Sequence, residues 1–167
     1  MLHSLGFGVR AAFLSQRARR QRFAWPVTLT TPAVASRGLA GGAETVALRA
    51  IRRADAQAWY ALRLADAARL SPWEATLPAG SRETLRSFST YAHEQNRLAH
   101  RGMAMPFIVE VDGALAGQVT AAPIHWDALS SASVGYWIGS RWEGRGVMAL
   151  SVAMVLDHLL GPEVGLH

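Results

Sequence analysis

The residues whose types and spacing could do chemistry are Arg141, Trp142, Glu143, Gly144, Arg145 and Gly146, a loop with two glycines two apart. The loop separates Val134 to Ile138, an apolar run that reads as a buried strand, from Val147 to Leu160, which reads as an apolar helix. Glycines let backbone N–H groups turn toward a ligand with no Cβ in the way. A helix that follows offers its unpaired first N–H groups and the positive end of its dipole to an anion. The dipole alone is worth about 0.3–1 kcal/mol per anionic group, so the full charges of Arg141 and Arg145 matter. Strand, glycine loop and helix in that order form a phosphate-binding device, although on spacing alone two glycines serve equally to turn a chain. Glu143 would repel a phosphate and is expected to point away from it.

Two further residues could handle a proton. Glu74 follows Trp73 in a loop and reads either as a solvated acid or as a substrate contact, and Trp73 either as the wall of a pocket or as core. His125, beside Trp126 at a strand end, is either a base or a surface residue. Of the six histidines only His167 stands four residues from a carboxylate, Glu163, and that pair spans the Gly-Pro-containing tail and not a helix, so no metal site is supported. The absence of cysteine excludes disulfides, thiolate nucleophiles and cysteine-ligated zinc.

The elements that must position these residues follow from periodicity. Phe23 to Val34 alternates around Val27 and Leu29 between two prolines, which limits it to a short or edge strand. Thr45 to Ile51 alternates Val46 and Leu48 inward with Arg49 outward. Asp55 is a candidate N-cap for a helix from Ala56 to Leu70 whose apolar face is Trp59, Leu62, Ala65 and Leu70. Ser81 is expected to cap a second helix reaching about Arg101, with Gly102 at its C′ position. From Met105 the period becomes two. Pro106 to Val111 and Ala114 to Ala122 flank Asp112-Gly113, a strong two-residue hairpin signal, and Ser133 to Ile138 continues the meander. The fold class is α/β (α+β): a mixed, mostly antiparallel sheet with helices packed on it. The last helix is apolar nearly all round, a pattern that is normally buried on more than one side.

Composition bounds the alternatives. The 167 residues suffice for one domain, and the longest uncharged runs, such as Gly113 to Trp126, are 14 residues, short of a membrane span. All 17 cations are arginine. Residues 1–43 carry six of them and no acid (+6), while residues 44–167 carry eleven against twelve acids (−1), which together give the net +5. The basic character therefore belongs to the leading segment, and a nucleic-acid-binding reading of the domain loses its main support. Residues 1–22 are expected to be a basic, disordered extension. The charge follows the apolar patches instead of preceding them, unlike a secretory signal, whereas an organelle transit peptide fits the composition. If the segment binds anything, an acidic surface such as RNA suits it.

Arg141-Trp142-Glu143-Gly144-Arg145-Gly146 matches in full the Arg/Gln-x-x-Gly-x-Gly/Ala motif of the GCN5-related N-acetyltransferases (GNAT), in the strand-to-helix setting that this family requires. Pro72-Trp73-Glu74-Ala75-Thr76, Gly117-Gln118-Val119 and Gly135-Tyr136-Trp137-Ile138 extend the likeness, and residues 23–167 resemble the ribosomal-protein-alanine N-acetyltransferases. The resemblance implies an acyl-CoA N-acyltransferase fold and acetyl transfer from acetyl-CoA to a protein α-amino group, in the cytoplasm, with a ribosomal protein as a possible acceptor. It implies that N–H groups from Trp142 to Val147 cradle the CoA pyrophosphate and that Arg141 and Arg145 add charge. Trp137 and Ile138 would pair by backbone with the pantetheine arm, an N–H there polarising the thioester carbonyl. Trp73, Glu74 and His125 are the candidates toward the acceptor. The family continues past a Gly-Leu-His like Gly165-Leu166-His167 into further strands and a helix, so 23–167 is expected to be a C-terminally truncated domain. The alternatives are a catalytically inactive CoA-binding fragment and a basic-armed RNA- or ribosome-binding module.

Overall fold

The computed structural model describes residues 24–32, 38, 40–73, 87–126 and 130–166. The extension 1–22, with its suggested RNA contact, lies outside them, as do Glu74 and Ser81. Five strands form one sheet in the order β1-β2-β3-β4-β5: Leu29–Pro32, Thr45–Ala50, Met105–Val111, Ala114–His125 and Ser131–Ile138. Every described pairing is antiparallel. The α-helices among the described residues are α1 (Ala56–Ala65), α2 (Ala67–Leu70), α3 (Phe88–His100) and α4 (Val147–Leu160).

The sheet separates two cores. Phe107, Val109 and Val119 face Val155 and Leu159 of α4, and Ile108 on the opposite face packs with Ile51, Phe88 and Ala92 under α1 and α3. β3 is central and buried on both faces, so its run Phe107 to Val109 is continuously apolar instead of alternating. The Asp112-Gly113 hairpin forms as expected, both residues at positive φ (50° and 79°). Gly102 (φ 68°) also ends α3 as expected, Met103 N–H returning to Leu98 O. β1 is the expected short edge strand.

Five expectations change. Arg49 is buried, because the tight turn Arg53–Asp55 leading into α1 brings Asp55 to it; its guanidinium forks onto Asp55 (2.7 and 2.9 Å) and reaches Glu110 (2.7 Å). Asp55 therefore makes no side-chain cap bond to α1; it takes Arg49 and, in a capping box on the tight turn Arg53–Asp55, the Arg52 N–H. The cap of α3 is Ser87, whose Oγ accepts the Thr90 N–H, rather than Ser81. The helix expected to run unbroken from Ala56 to Leu70 is interrupted at Asp66. On α4 the buried stripe is Val147, Ser151, Val155 and Leu159, with the Ser151 hydroxyl satisfied by Val147 O; Leu156 and Leu160 are exposed.

Candidate functional site

β5 ends at Ile138, and the chain passes through Gly139 and a tight turn, Ser140–Trp142, before α4 begins. Gly144 and Gly146 both adopt left-handed backbone (φ 68° and 79°), which an L side chain resists. Gly146 is the N-cap of α4, and the first hydrogen bond of the helix runs from Leu150 N–H to Gly146 O. The N–H groups of Val147, Met148 and Ala149 thus leave the helix end with no backbone acceptor among the described residues, as an anion site requires. Both flanking cations gather on Trp142, whose ring lies 5.4 Å from the Arg141 guanidinium carbon and 5.6 Å from that of Arg145. Arg145 is held from behind by Gly41, where any Cβ would fall 2.6 Å from the Arg145 Cβ. The Glu143 carboxylate lies 3.6 Å from the Arg69 guanidinium.

Among the described residues β5 is an edge strand, and its register decides which backbone groups are open. Gly139 N–H donates to Ala116 O (2.8 Å), and bonded and non-bonded pairs alternate along an antiparallel ladder. Trp137 therefore bonds Gln118, while Tyr136 and Ile138 direct their N–H and C=O groups to the open edge. The expectation that the Trp137 backbone is open therefore does not hold, and the open backbone groups are those of Tyr136 and Ile138. The Ile138 carbonyl already accepts from the Arg69 guanidinium.

Arg69 belongs to a clasp that explains the break between α1 and α2. Asp66 Oδ2 accepts the Ser140 N–H (2.7 Å) and the Arg69 Nη2 (2.8 Å), fastening the helix junction to the start of the glycine loop. The Arg69 guanidinium, together with the Ser140 N–H, holds the Asp66 carboxyl below the usual carboxylate range against the opposing effect of burial. The approach is close enough that a Cβ on Gly139 would lie 3.2 Å from Leu62.

Two clefts flank β5. One, of about 600 Å³, runs from the helix end along the open edge and is lined by Arg69, Trp73, Tyr136, Ile138, Glu143 and Met148 among others. A smaller one, of about 310 Å³, lies over the α1/α3 face of the sheet between Trp59, Tyr91, Gln118, Thr120, Gly135 and Trp137. Arg63, Tyr136 and Trp137 line both. Trp73 is 88% exposed at the rim of the larger cleft, so it is a wall and not core. His125 pairs with Ser131 at the far end of β5, seven residues or about 23 Å from Ile138. It lines neither cleft and is not brought together with the loop. Among the described residues no cluster of His, Asp or Glu could hold a metal ion, and no helix is long and apolar enough to cross a membrane.

Residues 45–167 match the acetyltransferase (GNAT) domain family. The chain is a member of that family. Comparison with curated proteins found no match. Among solved structures, RimJ of Mycobacterium smegmatis, in complex with CoA-disulfide, is 35% identical, covering 86% of this chain and 66% of its own, with a TM-score of 0.71. An acetyltransferase of Salmonella typhimurium that modifies the N-terminal serine of a 50S ribosomal subunit protein is 23% identical over 68% of this chain and 63% of its own (TM-score 0.57). The microcin C7 self-immunity acetyltransferase MccE, in complex with acetyl-CoA and AMP, is 17% identical over 72% and 64% (TM-score 0.59). These last two likenesses are of fold. The chain spans slightly less than two thirds of the length of each of the three.

Within this GNAT domain, reading the sequence overlooked Asp66, Arg69 and Tyr136. The i, i+3 spacing of Asp66 and Arg69 is a pairing signal on a helix, but nothing local says that the pair reaches a loop more than seventy residues away. Tyr136 would have required the strand register.

Proposed function

We propose that this chain binds acetyl-CoA and transfers its acetyl group to the α-amino group of a protein N-terminus, a ribosomal protein being the acceptor class. The observation that carries the reading is the loop from Gly144 to Ala149: two left-handed glycines and unspent N–H groups at a helix start, opening onto a cleft along a free strand edge. Its donor-rich, acceptor-poor chemistry fits a pyrophosphate. Likeness to RimJ, crystallised with a CoA disulfide, supports the same assignment.

Acetyl-CoA, when bound, supplies a thioester activated toward an amine. Of the N–H groups expected from Trp142 to Val147, those of Trp142, Glu143 and Arg145 are spent on Gly139 O, Ser140 O and Trp142 O. Those of Gly144 and of Gly146 through Ala149 would therefore hold the pyrophosphate, with Arg141 and Arg145 adding charge beside Trp142. The outward N–H groups of Tyr136 and Ile138 are the donors available to a carbonyl lying along β5, an oxyanion-hole role. Trp73 walls the same cleft, and Glu74, next to it in sequence, is the acid proposed for contact with the acceptor. An α-amine with a pKa of about 7.7–8.0 is partly deprotonated near neutrality, unlike lysine at about 10.4, so water leading to a modest base suffices. Such a reaction belongs in the cytoplasm, where acetyl-CoA and new protein N-termini meet.

Calorimetric titration of the 167-residue chain with coenzyme A, followed by thiol release from acetyl-CoA with an alanine- or serine-led peptide, tests the proposal. Saturable binding that Gly146→Ala weakens, with peptide-dependent release, is the expected result. Binding without release would assign a CoA-binding unit that does not catalyse, and no binding would overturn the reading.

A further inference from the structure

The smaller cleft has a hydrogen-bond polarity that its floor dictates. Gln118 is buried and lies across from Trp137 on the face covered by α1 and α3. Its Oε1 accepts from Trp59 Nε1 (3.0 Å), and its Nε2 donates to Tyr91 Oη (2.8 Å) and Thr120 Oγ1 (3.1 Å). An indole N–H can only donate, so Trp59 fixes which end of the amide is the oxygen. Both amide hydrogens then go to the two hydroxyls, which must act as acceptors in those bonds. Each hydroxyl keeps its own hydrogen, and neither has a recorded acceptor for it among the described residues.

We propose that Gln118 presets Tyr91 and Thr120 as a pair of hydrogen-bond donors, and that they hold a main-chain carbonyl of the acceptor beside its amine. This rests on the acetyl-transfer reading and deepens it. A cleft with two donors on its floor and aromatic walls suits an amide-bearing N-terminus and offers nothing to a simple alkyl amine. It shares Trp137 and Tyr136 with the larger cleft, so a carbonyl anchored there leaves its amine facing the open edge of β5. Gly135, opposite Thr120, leaves room for the acceptor: a Cβ there would meet nothing within 4 Å. Tyr91, Thr120 and Gln118 are positioning and binding residues and take no part in the bond changes.

The test uses the full chain with coenzyme A present and a serine-led pentapeptide, compared with the same peptide carrying a thioamide at its first peptide bond, a weaker acceptor. Tyr91→Phe and Thr120→Val should each raise the peptide Kd by about 2- to 10-fold, the range for one neutral hydrogen bond, and should shrink the preference for the oxo peptide. Gly135→Val should fill the cleft mouth and abolish peptide binding while leaving coenzyme A affinity and thermal stability unchanged. A purely structural role would lower the unfolding temperature but weaken both peptides equally, and would overturn the proposal. Unchanged peptide affinity in both hydroxyl variants would also overturn it, as would coenzyme A binding with no peptide binding, which leaves the cofactor reading standing. Failure to bind coenzyme A, with peptide binding still dependent on Tyr91 and Thr120, would instead overturn the cofactor reading alone.

Discussion

Asp66→Ala removes the carboxylate that fastens the α1–α2 junction to Ser140. The bond from the Ser140 N–H is charge-assisted and its acceptor is buried, which makes it worth about 1.5–3 kcal/mol. The ion pair to Arg69 adds less, roughly 0.2–1 kcal/mol, because the Arg69 side chain is 34% exposed and solvent screens it. The sum, roughly 2–4 kcal/mol, corresponds to a drop in unfolding midpoint of roughly 4–16 °C for a chain of this size. Asp66→Asn keeps an acceptor for Ser140 and should lose about half as much. The folded-state pKa of Asp66 lies below its unfolded value of about 3.9, so its contribution is complete above that value and is lost as the pH falls through the lower, folded pKa. The wild-type-to-variant gap should therefore be constant from pH 7 to pH 5 and close only below about pH 4. Thermal unfolding across that range measures it. A variant midpoint indistinguishable from wild type, or a gap that already closes between pH 7 and pH 5, refutes the clasp as an energetic link. Because Ser140 opens the glycine loop, coenzyme A affinity should fall together with stability.

Gly117→Ala should destabilise by about 1–3 kcal/mol and weaken coenzyme A binding. The added Cβ would sit 2.3 Å from Trp137 O and push β5 off β4, as urea unfolding would register. Gly146→Ala should cost about 1–2 kcal/mol for the left-handed backbone and raise the coenzyme A Kd, measurable by calorimetry. Trp73→Ala should change stability by less than about 0.5 kcal/mol because the ring is exposed, so any change in turnover would belong to the cleft it lines. Burial pushes the His158 pKa below 6.5, opposed in part by Glu163 at 3.4 Å. Its stabilising effect is complete above pH 6.5 and falls as the pH drops from there through the folded pKa. The unfolding midpoint should therefore decline over that window in wild type, and more shallowly in His158→Gln.

What the sequence discloses about this GNAT domain is what its local signals carry. Asp112-Gly113 and Gly144–Gly146 are legible because a positive φ favours particular residues wherever the chain lies, and both turns form where the spacing places them. The strands are legible from alternation. The misreadings are those in which a distant element overrides a local rule. Arg49 should face outward by alternation, yet the turn leading into α1 brings Asp55 to meet it, which in turn removes Asp55 as the cap of α1. The stripe Trp59, Leu62 predicts one helix to Leu70, yet Asp66 takes the Ser140 N–H and the helix breaks there.

The site divides along the same line. The loop proposed to bind the anion is contiguous in sequence, so its six residues could be found by type and spacing. The smaller cleft draws Trp59 from α1, Tyr91 from α3 and Gln118 and Thr120 from β4, a set that no spacing unites. Its chemistry lies in the direction of three hydrogen bonds and not in any one residue's identity. Replacing the donor-only indole of Trp59 by a ring without an N–H would release the amide of Gln118 to flip. The two hydroxyls would then face the amide oxygen and donate to it, and the cleft would lose its donors although every residue on its floor stayed in place. Trp59→Phe should thus weaken the oxo peptide toward the affinity of the thioamide one with coenzyme A binding intact; a Trp59→Phe chain that still discriminates between the two would show that something other than the indole sets the polarity.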